Sequence, residues 1–437
     1  MAKEFYVVSD LHFGGDGALQ QCDFAEEFIA FLRDLATKGG DVELIIAGDT
    51  FGFWELTTVE GVAKFDAIVI DHQAIFDQLR ETGKKIKITV MVGNHDYDLA
   101  CEPEFKQKLA TYNLDLDTSI SVKRQLLGRT IWIEHGQQAD SFNSSPDYGN
   151  PFATPVGYFI TRTIVAGASR FSDYGHGNWL KDIRSVGTQH IPDWVLSNYF
   201  YREMGWVIRA VFSIFLLMLT VTALGLVVEA LRFAGIIQVN FIFDNPFIRS
   251  LGFVGDILHA VVLMNMIILF FMLVVSVPGF IVYRDIRKTL RRFQVTWSDF
   301  SELEGLANAP YLQRARKVFA ENPDTAVYLF GHTHDAFLLR EGDRVIINTG
   351  TWLKILSRVS VRFGYMPAVY QPSFHLDCFH IYADQSRIVI RHIESAKTPE
   401  RELGLLQRLV TLGKTPGKRE PIPPETVLEI TAPAAAE

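Results

Sequence analysis

Five short clusters hold the residues of this chain best suited to chemistry: Asp10-Leu11-His12, Gly48-Asp49, Gly93-Asn94-His95-Asp96, His135-Gly136 and Gly331-His332-Thr333-His334. Imidazole, carboxylate and amide oxygen together suit borderline or hard divalent ions such as manganese, iron or zinc. Thiolates are absent from the set. The alternation in Asp10-Leu11-His12, and again in His332-Thr333-His334, would put both polar side chains on one side of an extended backbone. Glycines before Asp49, Asn94 and His332 would let the backbone turn sharply and approach an ion closely.

Each cluster directly follows a strand expected from apolar runs: Phe5 to Ser9, Val42 to Ala47, Ile86 to Val92, the second half of Ser119 to Glu134, and Ala326 to Phe330. Residues just past strand C-termini converge on one edge of a layered sheet, where ligands bind. Between the strands, Phe24, Phe28, Phe31, Leu32 and Leu35 recur at helical spacing and stop before Gly39-Gly40. A second helix is expected to bury Phe65, Ile68, Val69, His72, Phe76 and Leu79, and a third to cover Pro103 to Tyr112. A further helix near Ser301 to Ala320 and strands at Val345 to Asn348, Phe379 to Ala383 and Arg387 to Ile393 would complete an α/β fold.

Apolar residues are concentrated rather than spread. Ala210 to Val228, 19 residues, and Ala260 to Val282, 23 residues, contain no charge. A helix of the longer length covers roughly 34 Å, against a hydrocarbon core of about 30 Å. Soluble cores seldom need helices apolar on every face for so long, so a transmembrane hairpin is expected. Arg284, Arg287, Lys288, Arg291 and Arg292 crowd the exit of the second run, while the connection from Leu231 to Asp256 has only Arg232 and Arg249. Excess cations mark the cytoplasmic flank, which would place both ends of the chain in the cytoplasm of a two-span plasma-membrane protein. His259 and Asn265 are expected at a helix contact or the interface. Thr154 to Met204, rich in aromatic and basic residues including Phe159, Phe171, Trp179, Trp194, Tyr199 and Phe200, reads equally as helices packed on the domain or as an interfacial collar.

A net charge of −8 argues against a general nucleic-acid surface. Cys22, Cys101 and Cys378 are too widely spaced for a disulfide framework or a thiolate zinc site. The start of the chain runs straight into a strand without the pattern of a signal peptide. His72, His176, His190, His380 and His392 are read as structural.

In order and spacing, the clusters resemble the calcineurin-like metallophosphoesterase family, whose pattern is D-x-H, GD, GNH(D/E), H and GHxH. The likeness covers roughly residues 5 to 136 and 326 to 352. It implies a four-layer αββα sandwich with two mixed sheets, here interrupted by the hairpin. The expected division is 1–153 for the first part of the catalytic domain, 154–205 for a helical lid or interfacial segment and 206–284 for the hairpin. The second part of the catalytic domain would be 285–397, and a flexible tail 398–437.

The resemblance further implies two divalent ions, with manganese the first choice ahead of iron and zinc. Asp10, His12, Asp49 and His334 would hold one, and Asp49, Asn94, His135 and His332 the other, Asp49 bridging. Two such ions can activate a water and stabilise phosphoryl charge during in-line attack. His95 would protonate the leaving oxygen or stabilise the phosphoryl group, with Asp96 orienting its imidazole. Gly48-Asp49-Thr50-Phe51-Gly52-Phe53-Trp54 and the aromatic insertion after His135-Gly136 resemble the UDP-2,3-diacylglucosamine hydrolase branch, although its proteobacterial members usually carry Arg where this chain has His95. A lipid or lipid-linked phosphate substrate is thus expected, with a second copy packing through the hairpin as a further expectation. A phosphatase acting on a soluble nucleotide or phosphoprotein and a non-catalytic membrane scaffold are the alternatives; the scaffold would be expected to lose ligands, and none is lost.

Overall fold

The alternation of apolar strands with amphipathic helices folds into two facing sheets. The computed structural model describes residues 4–170, 178–187, 190–238, 245–292, 309–361, 366–399, 403–417 and 419–430. Phe171, His176, the first part of the helix expected from Ser301 and the terminal alanine-rich run lie outside the described residues.

The first sheet joins β1 (Glu4–Val8), β2 (Val42–Ile46), β3 (Lys87–Met91) and β4 (Asp115–Asp117) in parallel, and β12 (Leu376–Asp384), β13 (Arg387–Ser395) and β14 (Glu425–Glu429) antiparallel on the other flank. The second contains β5 (Ser121–Leu126), β6 (Arg129–Glu134), β7 (Thr325–Phe330), β8 (Phe337–Glu341) and β9 (Arg344–Asn348), in the order β5-β6-β7-β9-β8. Here β6, β7 and β9 run parallel. A separate hairpin pairs β10 (Ile355–Val359) with β11 (Val369–Ser373).

Three apolar layers follow from strand alternation. Phe5, Val7, Ile45 and Met91 of the first sheet meet Ile131, Ile133, Leu329 and Ile347 of the second, filling the space between sheets. The opposite faces of β1 to β3 bury Tyr6, Val8, Leu44 and Val90 against Phe28 and Leu32 of helix Ala25–Lys38, Phe65 of helix Ala63–Asp71 and Phe76 of helix Gln73–Gly83. On the far side, helix Ala309–Glu321 packs Tyr311, Ala315 and Phe319 on Trp132, Tyr328 and Ile346. Each fully buried Leu, Ile or Phe contributes about 1.5–3 kcal/mol, so these layers fix the strand ends as a rigid rim. The result is a mixed α/β fold with the helix-sheet-sheet-helix layering expected.

Two details differ from expectation. The single helix carrying Phe65 to Leu79 is two, broken at His72. The segment expected to be a flexible tail after residue 398 contains helix Leu405–Thr411 and β14, whose backbone completes the edge of the first sheet beside β13. Pro416, Pro421, Pro423 and Pro424 suggested mobility, but Leu428, buried in the inter-sheet core, ties this stretch down.

Two helices are long and apolar enough to cross a membrane, Trp206–Phe233 and Phe253–Ile286, and only 11% and 6% of their apolar windows are buried. That exposure differs from the near-complete burial of the core strands and helices of the two-sheet domain. They meet each other at the buried pair Thr222 and Asn265, where the Asn265 amide donates to Thr222 Oγ1 at 3.2 Å. Leading into them, the aromatic segment divides between both readings: Trp179 and Trp194 pack with Leu19, Ile183 and Tyr370, whereas Phe159 and Tyr199 are exposed.

Candidate metal centre

The parallel strands present their following loops at one rim, and backbone bonds stitch the loops together. Asp10 N–H donates to the Gly48 carbonyl, His12 N–H to Asp49 and Gly331 N–H to His135. Five of the ten non-glycine residues with positive φ among the described ones are Asp10, His12, Asp49, His332 and His334, at 54°, 46°, 51°, 68° and 61°. Each such left-handed residue costs on the order of 1–3 kcal/mol and persists where the surroundings enforce it, characteristically at functional sites. The extended geometry expected for Asp10-Leu11-His12 and His332-Thr333-His334 is therefore replaced by left-handed turns. In the first, the turn buries Leu11 completely while Asp10 and His12 come together.

Glycine is required twice at this rim for different reasons. Gly48 has φ +91°, and a Cβ there would collide with the His135 ring. At Gly93 a Cβ would collide with the carboxylate and backbone nitrogen of Asp49. Both place backbone where a side chain would hold the ligand-bearing loops apart.

All seven candidate ligands meet here. In one group, His334 Nε2 lies 3.2 Å from Asp10 Oδ1 and 3.3 Å from His12 Nε2, itself 3.8 Å from Asp10 Oδ1. In the other, His135 Nε2 lies 3.2 Å from both Asp49 Oδ2 and Asn94 Oδ1, with His332 close enough to share an ion. Asp49 Oδ2 is also 3.7 Å from His12 Nε2, so this carboxylate stands between the two groups.

The donor chemistry fits a pair of divalent cations. Asp10 Oδ1 is buried without a hydrogen-bond partner, a costly arrangement unless a cation completes it. His135 Nδ1 donates to the Ala47 carbonyl at 2.9 Å, which fixes the tautomer and leaves the Nε2 lone pair directed at the site. His332 Nε2 faces Asp140 Oδ2 at 3.1 Å, leaving Nδ1 for an ion. Burial opposes charge on His135, yet the Asp49 and Asp10 carboxylates outweigh it and lift the imidazole to about 10. Burial likewise pushes Asp49 up, but His135 and His95 hold its carboxyl well below the ordinary range. The two buried carboxylates thus favour positively charged partners at this rim, which suits a divalent ion.

The relation expected between His95 and Asp96 is not found. Asp96 turns back to accept the backbone N–H groups of Gly93, Thr50 and Phe51 at 2.7, 2.7 and 3.2 Å, bracing two loops. Burial and the Asp49 charge raise it to about 7. His95 Nδ1 instead pairs with Glu55 Oε1 at 2.8 Å, and Trp54 lies against the ring at 4.7 Å. Burial disfavours the His95 imidazolium, but Glu55 and Asp49 overcome this and raise it to about 9. Sequence reasoning missed Glu55 and Asp140. Both are acids within seven residues of a recognised cluster, the only signal the sequence offered. His380 and His392, set aside as structural, pair with Glu4 and Asp377.

With the geometry established, residues 3–207 match the family model described as calcineurin-like phosphoesterase. This stretch carries a metallophosphoesterase domain, and the chain is a hydrolase of phosphoric esters; the matched family uses divalent metals. No curated protein matches it. Among solved structures, a conserved uncharacterized protein from Streptococcus pneumoniae TIGR4, described as a predicted phosphoesterase, is 9% identical over 90% of this chain and 91% of its own. Its TM-score of 0.25 is too low to bear on the fold.

Proposed function

We propose that this chain is a membrane-anchored phosphoesterase cleaving a phosphoester or pyrophosphate bond in a lipid or lipid precursor. Asp10, His12, Asp49 and His334 would hold one divalent ion and Asp49, Asn94, His135 and His332 the other, with manganese the first choice. The observation that carries the lipid reading is where the insertion packs. Before continuing into the two exposed apolar helices, it lies on the loops of the metal centre. Arg184 donates to the carbonyls of His12 and Gly14 at 3.3 and 3.2 Å, and Tyr158 meets Trp54, the ring against His95, at 5.7 Å. A phosphate drawn into the centre therefore sits beside the segment that leads to the bilayer.

When bound, the ions would supply neutralisation of phosphoryl charge and acidify an attacking water. The protein's own groups do the positioning. Glu55 holds His95 by Nδ1, so His95 keeps its other nitrogen, Nε2, to carry a proton to the leaving oxygen. The Ala47 carbonyl and Asp140 orient His135 and His332 in the same manner. Trp54, itself buried, lies against the His95 ring with Tyr158 behind it.

Within this reading the substrate resembles that of the UDP-2,3-diacylglucosamine hydrolase branch, an amphiphile with a phosphate-containing headgroup. The catalytic part would face the cytoplasm at the plasma membrane, without nucleic-acid partners, and copies would associate through the hairpin. Detergent-solubilised protein should be assayed on phospholipids, nucleotide-linked lipids and generic water-soluble esters. Preferential turnover of lipids is expected; turnover of soluble esters alone would sink the lipid assignment.

A further inference from the structure

A cavity of about 310 Å³ lies between the insertion and the C-terminal part of the catalytic fold, and none of the seven candidate metal ligands lines it. Four cations do: Lys181 and Arg202 from the insertion, Lys354 from the loop after β9 and Lys397 from just past β13. Two carboxylates, Asp23 and Asp182, stand among them, and Lys354 engages both, at 3.1 and 2.6 Å. Lys397 reaches Glu27, outside the lining, at 2.7 Å. In a chain of net charge −8 this cavity inverts the prevailing sign.

Rings complete the lining. Trp179 and Trp194 meet edge to face at 5.0 Å, and Tyr370 and Phe374 add further aromatic surface. The volume is that of a small-ligand site, where apolar walls surround a few placed polar groups. Ammonium and guanidinium groups converging from separate stretches of chain give charge-assisted bonds to an anion, and rings cover the less polar part.

We propose that this cavity is a second binding site, separate from the metal centre, for a phosphate-bearing anion. Its position gives binding a consequence. Arg202 is four residues before the apolar helix that starts at Trp206. Asp182, tied to Lys354, is two residues before Arg184, which holds the His12 loop. An anion drawn in among these cations would fasten the insertion to the catalytic fold and brace that loop. The same phosphate chemistry is offered by a lipid headgroup or by a soluble phosphate.

The test uses full-length, metal-loaded protein in phosphatidylcholine nanodiscs. Inorganic phosphate and, in a second arm, phosphatidylglycerol incorporated in the disc are the probes, with bound anion counted by native mass spectrometry and affinity measured by calorimetry. Wild type is compared with Lys397→Gln/Arg202→Gln and with the charge-conserving Lys397→Arg. We expect one class of site to weaken about tenfold or more in the double variant, to persist in Lys397→Arg, and turnover of a soluble ester to continue in all three. Loss in the phosphatidylglycerol arm identifies the lipid as the source, and loss in the phosphate arm alone identifies a soluble ligand. Unchanged stoichiometry and affinity in both arms would overturn the proposal, while the ester assay reports separately on the metal centre.

Discussion

Replacing Gly93 by alanine should disable the metal centre while leaving the fold intact. The new Cβ would lie 2.8 Å from Asp49 Cγ and still closer to its Oδ1 and backbone nitrogen, inside the 3.0 Å that real Cβ atoms keep. Neither neighbour can give way cheaply. Asp49 Oδ1 accepts the His95 N–H at 2.8 Å, and the Asp49 carbonyl accepts the His12 N–H at 2.9 Å. The loop must shift by roughly 1 Å, and a misplacement of that size costs on the order of 100-fold in rate, or about 2.7 kcal/mol of transition-state stabilisation. The assay is kcat/KM on a soluble phosphodiester together with metal content by plasma mass spectrometry. Gly40→Ala, where nothing lies within 4 Å, is the control and should behave as wild type. Full metal content and undiminished turnover in Gly93→Ala would refute the close approach of these two loops.

Asp140→Ala should weaken metal retention about 10- to 100-fold, since partners that orient ligating histidines have effects of that size; dialysis against a chelator measures it, and unchanged retention would remove Asp140 from the site. Glu55→Gln should lower kcat roughly tenfold or more, as part of an acid–base contribution. It should also move the alkaline limb of the pH–rate profile to lower pH, because the Glu55 charge supports the His95 imidazolium; an unmoved limb would contradict the pairing. Burial raises Glu43, but hydrogen bonds from Arg124 and Thr89 prevail and depress it. A depressed carboxyl contributes stability above its unfolded value of about 4.3, and that contribution is lost as pH falls through the folded value. Melting curves in acid should therefore show a smaller pH dependence for Glu43→Gln than for wild type, and identical curves would refute the assignment.

The polar clusters were legible because each sits one to three residues beyond an apolar strand, so sequence order predicted spatial convergence. Partner choice was not. His95 and Asp96 are neighbours in the chain, but successive side chains leave the backbone in different directions, and Asp96 accepts the Gly93 N–H of its own turn together with the Thr50 and Phe51 N–H groups of the loop after β2. Glu55 reaches His95 only because β2 and β3 are adjacent parallel strands whose loops fold toward one another. The backbone at Asp10 and His12 was misread for a related reason. Alternating polarity mimics a strand, whereas stitching of this loop to the Gly48 and Asp49 carbonyls imposes left-handed turns. At the C-terminal end, composition suggested mobility, and the edge of the first sheet, with unpaired backbone groups beside β13, supplied a partner that composition could not reveal.

The location of the insertion follows from the same topology. β6 and β7 are adjacent and parallel, and parallel neighbours cannot be joined by a tight turn; they require a crossover connection. Helix Ala309–Glu321 packs on the second sheet and supplies the returning part of that crossover. Once the two strand ends are fixed by pairing, extra chain between them adds only slowly to the entropy of closure, about 0.6 kcal/mol for each doubling of length. The segment between Glu134 and Thr325 can therefore hold two long apolar helices without disturbing the register that brings His135 beside His332. Because the crossover begins in the His135 loop itself, the first inserted residues must pass over the metal centre. Asp140 is among them and contacts His332, and Arg184 grips the His12 loop from further along. An insertion at a surface hairpin such as β8–β9 would have left the two apolar helices with no reach into the chemistry; at this crossover, those helices and the ligand-bearing loops share one stretch of chain.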